Sequence, residues 1–438
     1  MDLFSQRLLN DGVRKREVFG WSMYDFANSG YTTVVLTAVF NAYFVSVVAQ
    51  GAPWATLAWT MAIAASSLIV MITLPAIGAH ADLRGSKKRV LGGCTLACVL
   101  GTYALVGAGP GDLWWAVLAI VVSNVAYSYG ESLIAAFLPE LARQEALGRV
   151  SGWGWSFGYL GGMLTLGLSL AYVLAAQQRG EPATSFVPVT MAITATIYAV
   201  ASLATFTLLR ERAVPQITTA QASAGAGVGA SLARLAATWH AARRYRDFCW
   251  LLACGACYQA GIAVVITLAA VYAEQALGFK QADTMLLIFV VNIAAAAGAF
   301  SFGYGQDRIG HRLALALTLM GWIVMTVLAV LATGPGLFWL AALIAGLCMG
   351  SSQSAGRAMA GLFTPADRRG EFFGLWTFAT RASAVVGPLT FGLITWLTGG
   401  NQRLAMACTA AFFVAGLLLL AKVDMARGER AALPEGTA

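Results

Sequence analysis

Four ionisable side chains stand inside long apolar stretches of this sequence: Asp25, Glu131, Arg357 and Arg381. A charge near the centre of a lipid bilayer costs about 2.5–3.5 kcal/mol on insertion scales, so each needs a partner or a water-filled cavity. Helical spacing gives each of them polar company. Asp25 shares a face with Trp21, Asn28 and Thr32, next to Tyr24, and Glu131 lies on one stripe with Asn124, Tyr127 and Ser128. Gln353 stands one turn before Arg357, and Thr377 one turn before Arg381. Polar stripes on otherwise apolar helices read as cavity-facing sides.

Both acids fall in the first half of the chain and both bases in the second. Each lies about six to nine residues from the same end of its apolar run, roughly 9–14 Å at 1.5 Å per residue. Two chemistries fit this placement. Acid–arginine pairs, Asp25 with Arg381 at matched depth on opposite halves among them, could brace the two halves together as a gate, or at least one acid and one arginine could contact a solute directly, Asp25 taking the ammonium and Arg381 the carboxylate of a zwitterion. Arg357, nearest the end of its run, could instead extend its charge to the headgroups. Either Asp25 or Glu131 is also a candidate proton carrier, since a gated apolar cavity alters how readily a carboxylate ionises.

Long helices must position these residues. Apolar residues make up 59% of the chain and charged residues 11%, with a mean hydropathy of +0.71. A water-soluble domain needs about a quarter of its residues charged, so most of this surface must face lipid. A bilayer core takes about 20 apolar residues as helix, because no backbone group can stay unpaired there. Such runs occur at Val18–Val48, Trp54–Ile77, Val90–Val106, Leu113–Phe137, Val150–Ala175 and Phe186–Leu209. They resume at Phe248–Ala273, Thr284–Phe302, Leu313–Leu331, Leu337–Phe363, Phe372–Leu397 and Leu404–Ala421. The expected fold is therefore an all-α membrane protein, with six spans on each side of one long connection.

The net charge of +8 follows this topology. Most Lys and Arg residues sit in one set of loops and tails, such as Arg14-Lys15-Arg16 and Lys87-Lys88-Arg89, while the opposite loops hold only Arg179, Lys280 and Arg403. The positive-inside rule puts both termini and the central connection in the cytoplasm and the chain in the inner membrane. Nucleic acid is not the implied partner. The expected organisation is a tail (residues 1–17), a first bundle (18–209), a linker (210–247), a second bundle (248–421) and a tail (422–438). Within the linker, Leu232, Leu235 and Trp239 form one stripe behind Ser231, which reads as an amphipathic helix lying on the inner leaflet.

Two connections repeat one pattern. Gly78-Ala-His-Ala-Asp82-Leu-Arg84-Gly85 follows the second run, and Gly303-Tyr-Gly-Gln-Asp307-Arg308-Ile-Gly310 follows the eighth, about half the chain later. Glycines let a tight turn press on a neighbouring helix, and the Asp can accept from a helix N-terminus or an Arg. This resembles the loop signature of the major facilitator superfamily. The resemblance implies two pseudo-two-fold-related six-helix bundles that rock about a central cavity. Without a Walker A pattern, a gradient is expected to supply the energy.

A narrower resemblance rests on Trp21-Ser-Met-Tyr24-Asp25-Phe26-Ala27-Asn28-Ser29-Gly30, Gly350-Ser-Ser-Gln353-Ser-Ala-Gly-Arg357 and Glu371-Phe-Phe-Gly374, with Gly387-Pro388 beyond. These are similar to the autophagy-related vacuolar amino-acid effluxers of fungi and their bacterial relatives. In the seventh run, Tyr258-Gln259-Ala260-Gly261 replaces an expected Tyr-x-Asp-Gly, so Ala260 removes a carboxylate. Gly154-x-x-x-Gly158-x-x-x-Gly162 in the fifth run reads as close helix packing.

The implied function is a secondary transporter of a small polar or zwitterionic solute, amino-acid-like and outward-moving, with protons as candidate coupling ions. One chain and no cofactor are expected to suffice. A carrier of sugars or drug-like solutes is the alternative, followed by a non-transporting sensor and a membrane enzyme. The enzyme reading lacks its chemistry. His80, His240 and His311 are expected in loops, and the seven cysteines lie within apolar runs, Cys254-x-x-Cys257 among them as packing.

Overall fold

The computed structural model describes residues 4–212, 240, 242–277, 281–399 and 401–433. Twelve helices among them are long and apolar enough to cross a membrane. Spans 1 to 6 run Lys15–Val48, Leu57–Arg84, Lys87–Gly107, Leu113–Leu141, Gln144–Gln178 and Ala183–Leu208. Spans 7 to 12 run Arg246–Ile266, Leu286–Ile309, His311–Leu331, Pro335–Leu362, Arg369–Leu397 and Gln402–Leu420. Large apolar side chains such as Leu118, Leu203, Leu389 and Leu418 remain more than half exposed on the outside of the bundle. With no aqueous reason for such a surface, this is a multi-pass integral membrane protein.

The packing has the symmetry of a two-fold repeat. Span 5 lies against spans 1 and 8, and span 11 lies against spans 7 and 2. Adding or subtracting six turns one set of neighbours into the other. The two halves therefore meet along two equivalent seams, span 2 on span 11 and span 5 on span 8.

Span 1 begins at Lys15, before its apolar run, because the Glu17 carboxylate accepts from the Arg14 N–H at 3.0 Å. Beyond Tyr31 the helix widens into π turns at Thr32–Ala38 and again at Phe44–Val48. The Thr32 and Thr33 hydroxyls both donate to the Ser29 carbonyl, at 3.1 and 2.8 Å, and so compete with the ordinary backbone ladder there.

The end that carries Phe4, Leu433 and most of the described Lys and Arg residues is the basic end. The polar segment ahead of span 1 packs closely against it. Leu9 pairs with Ala142, the Asn10 amide donates to the Pro139 carbonyl at 3.1 Å, and Phe4 meets Trp153 edge-on at 4.9 Å. Arg212, just past span 6, reaches back to Glu17 at 2.8 Å. Glu211 accepts from the Lys88 N–H at the start of span 3, and burial pushes its carboxyl above the ordinary value. The amphipathic helix expected around Leu232–Trp239 lies outside the described residues.

All three histidines differ from expectation, His240 too being helical. His80 is in the last turns of span 2 and His311 opens span 9, so both are helical rather than in loops. Among the described residues, no group of three or more His, Cys, Asp or Glu is placed to hold a metal, and all seven cysteines are free.

Candidate functional site

The repeated Gly–Asp–Gly patterns lie at the two seams. They are not loops, as the sequence suggested, but the last turns of spans 2 and 8, and the turn proper begins at Gly85 (φ 55°) and Gly310 (φ 91°). Asp82 accepts from the Glu371 backbone N–H at 3.0 Å, at the N-terminus of span 11. Asp307 accepts from the backbone N–H groups of Gly148 and Arg149 at 3.0 and 3.1 Å, and from the Arg149 guanidinium at 3.0 Å. A carboxylate at a helix N-terminus is doubly favoured, by unpaired N–H donors and by the helix dipole. Gly78 and Gly303 make the contact possible. A Cβ at Gly78 would overlap the Gly370 backbone, and one at Gly303 would crowd Gly148 and Gly152. Arg84 is half-buried behind the first seam, while Arg308 is exposed beside the second.

Deeper along the same axis the intramembrane charges pair across the halves, but not in the pairing that matched depth suggested for Asp25 and Arg381. Asp25 of span 1 holds Arg357 of span 10 at 2.7 Å, and Glu131 of span 4 holds Arg381 of span 11 at 3.1 Å. Nor does Arg357 extend to the headgroups. It is 6% exposed, donates to the Ser151 carbonyl at 2.8 Å and to the Ser151 hydroxyl at 3.2 Å, and lies over the Trp21 and Trp155 rings, 4.8 and 5.2 Å from their centroids. The guanidinium divides its donors between Asp25 and Ser151 with two indole rings close by, and Lys, with a single point charge, could not reproduce this set of contacts. Gly154 makes room for the pair. A Cβ there would strike both Asp25 and Arg357.

Above these pairs lies a cavity of about 490 Å³ between the halves. Asp25, Asn28, Glu131, Gln259, Gln353, Arg357 and Arg381 all line it. Gln259 and Gln353 hydrogen-bond each other at 2.7 Å across spans 7 and 10. The lining continues away from the basic end to Thr37, Ile266, Leu287 and Phe338, near the opposite ends of their spans. The inter-half bonds named above lie on its basic-end side, together with Ser156 donating to the Ala296 carbonyl at 3.1 Å. The cavity thus stands over a sealed floor.

Three residues anticipated as site candidates do not line it. Tyr24 is fully buried, with its hydroxyl 2.9 Å from that of Thr95, and Asn124 donates to the Ser66 hydroxyl at 2.6 Å. Tyr258 is buried against span 12, beside Gly416. All three stiffen their own bundle. Conversely, Ser151, Gly154 and Trp155 belong to the site but read in sequence as part of a small-residue packing helix. The one available signal was that Trp155 and Tyr159 share a face of that helix one turn apart.

Twelve spans in two pseudo-symmetric bundles around a largely apolar cavity with a charged floor, closed at one end by Asp-capped helix seams, are the architecture of a transporter of the major facilitator superfamily. The family described as "Vacuole effluxer Atg22 like" matches residues 44–433, and the chain belongs to that family. It is 27% identical over 410 residues to the uncharacterized MFS-type transporter YxiO of Bacillus subtilis, covering 92% of this chain and 94% of that one. It is 30% identical over 212 residues to autophagy-related protein 22-1 of Penicillium rubens, which is 44% of this chain and 35% of the fungal protein. The chain therefore spans only about a third of that relative's length. Among solved structures, the human organic anion transporter MFSD10 is similar, with a TM-score of 0.74 at 15% identity over 93% of this chain and 99% of that one.

Proposed function

We propose that this protein is a secondary carrier that moves a small zwitterionic solute, amino-acid-like, out of the cytoplasm across the inner membrane. The observation that carries the reading is the cavity floor, where two acids from one half meet two arginines from the other. A solute bearing an ammonium and a carboxylate can exchange with such pairs without leaving a charge unpaired in a low-dielectric site. Since each pair joins the two halves, such an exchange would bias one arrangement of the halves over the other. The description of the family as effluxers supports the outward direction. The Lys- and Arg-rich end supports placing the floor toward the cytoplasm. Glu131, the more exposed acid, is the candidate for proton coupling. The cavity is complete within one chain, so a single copy suffices.

The test is radiolabelled uptake by proteoliposomes of the purified chain. Zwitterionic, sugar and aromatic-cation solutes are offered with and without a pH gradient. Saturable flux of a zwitterion is expected. Flux confined to sugars or cations would replace the reading with the other carrier class.

A further inference from the structure

Many cations at the basic end hold a carboxylate: Arg149 with Asp307, Arg212 with Glu17, Arg368 with Glu371 and Arg427 with Asp247. The end of span 12 is different. Span 12 packs against spans 7 and 9, away from both seams. Exposed cations from all three spans gather at its last turn. Lys422 Nζ sits 4.5 Å over the Trp250 ring of span 7, and Arg246 stands one turn before Trp250. Arg312, at the start of span 9, donates to the Ala421 carbonyl at 2.8 Å. Among the described residues none of these three cations forms an ion pair. The acids that follow them in sequence are already engaged. Asp247 accepts two hydrogen bonds of 2.7 Å from the Arg427 guanidinium and one of 2.8 Å from the Asp424 N–H, and Asp424 accepts from the Arg427 N–H at 3.0 Å.

The cluster also has a defined depth. Lys422 continues a stripe of span 12 with Val414 and Leu418, four residues apart and 42% and 65% exposed. On span 9, Leu313 and Leu317 beyond Arg312 are exposed as well. Such faces meet acyl chains, so the cations lie where the hydrocarbon ends and the headgroups begin, the level at which tryptophan is also enriched.

We propose that the end of span 12 binds an anionic phospholipid, with Arg312 and Lys422 holding its phosphodiester, Arg246 adding charge and the acyl chains lying along Leu418 and Leu313. Arg312 uses one of its five donors on Ala421, and Lys422 donates to none of the described residues, so both have donors to give. A zwitterionic lipid would bring its own cation against three others, and like charges repel. The headgroup is therefore one without an ammonium or choline. Such a lipid braces spans 7, 9 and 12 of the second bundle and touches neither the cavity nor the seams. Diffuse attraction of anionic lipid to a basic surface needs no particular residue, whereas this site does.

The full-length chain, purified in detergent, is titrated with dioleoyl phosphatidylglycerol, dioleoyl phosphatidylcholine and inorganic phosphate, and bound molecules are counted by native mass spectrometry. The first phosphatidylglycerol should bind about tenfold or more tightly than the first phosphatidylcholine, given the contribution of each cation near a headgroup. Arg312→Ala with Lys422→Ala should erase that preference. Arg16→Ala with Arg89→Ala removes equal charge from exposed positions on spans 1 and 3, and should keep it. Equal losses in both double variants overturn the site in favour of diffuse attraction. Displacement of the lipid by an equal concentration of inorganic phosphate also overturns it, because the site would then be one for a free anion. A phosphatidylglycerol with a diazirine in its headgroup, photo-cross-linked to the unaltered protein, keeps the test independent of how the variants fold. Its adducts should map around Trp250, Arg312 and Lys422, and a map without them overturns the proposal.

Discussion

At the scale of single residues, the floor depends on a fit as much as on charge. Asp25 and Arg357 are buried partners, and removing one member of a buried pair typically costs about 3–5 kcal/mol, because the other is left uncompensated. Part of that cost can be relieved by opening the halves and admitting water. Asp25→Asn should therefore expose the floor more often. A cysteine at Ser354, buried between Gly148 and Gln306, reports this in a background free of native cysteines. Its rate of maleimide labelling should rise about tenfold or more in Asp25→Asn, and an unchanged rate would show that the pair does not hold the floor shut. Gly154 tests the fit without touching a charge. Gly154→Val should reduce flux about tenfold or more by displacing the pair, whereas Gly167→Ala in the same span meets open space and should be neutral. Comparable losses in both would mean that span 5 is merely intolerant of substitution.

At the scale of elements, two aspartates fasten two helix N-termini across the seams. Hydrogen bonds to a charged group contribute about 1.5–3 kcal/mol each, so neutralising one partner should loosen a seam without unfolding a span. Asp82→Asn and Asp307→Asn are each expected to lower flux about tenfold while the amount of protein in the membrane holds. Normal flux in both would reduce the seams to connectors. The seams also show what sequence could and could not convey. The repeat itself was plain, because glycine and aspartate recur at fixed spacing, and hydropathy gave all twelve spans, because lipid leaves backbone no alternative to helix. What spacing could not give was the partner. Depth along a helix placed Asp25 and Arg381 at the same level, but pairing depends on rotation about each axis and on which spans abut. Those are set by tertiary contacts such as the glycine face of span 5. For the same reason Tyr24, Asn124 and Tyr258, on polar stripes in sequence, proved to brace their own bundles, while Ser151 and Trp155 were hidden among packing residues.

At the scale of the whole molecule, the two halves are joined at the basic end and diverge around the cavity. The orientation is a separate expectation, carried by the Lys and Arg distribution. A cysteine at Ala426, exposed on the helix Met425–Ala432, should label only from the cytoplasm, and one at Pro182, between spans 5 and 6, only from outside. The reverse pattern would invert the direction assigned to the cavity. The central claim is that solute binding shifts the halves from one side-closed arrangement to the other. Pulsed electron spin resonance on two label pairs tests it most directly. One pair, Arg89 with Arg308, spans the halves at the basic end, and the other, Gln178 with Leu331, spans them at the far end; all four are exposed. With a zwitterionic solute that the protein transports added in nanodiscs, the account predicts a new population in which the basic-end distance lengthens while the far-end distance shortens. It also predicts that this shift is lost in Arg381→Ala. Distances at both ends that stay fixed over a saturating range of the solutes the protein transports would contradict it.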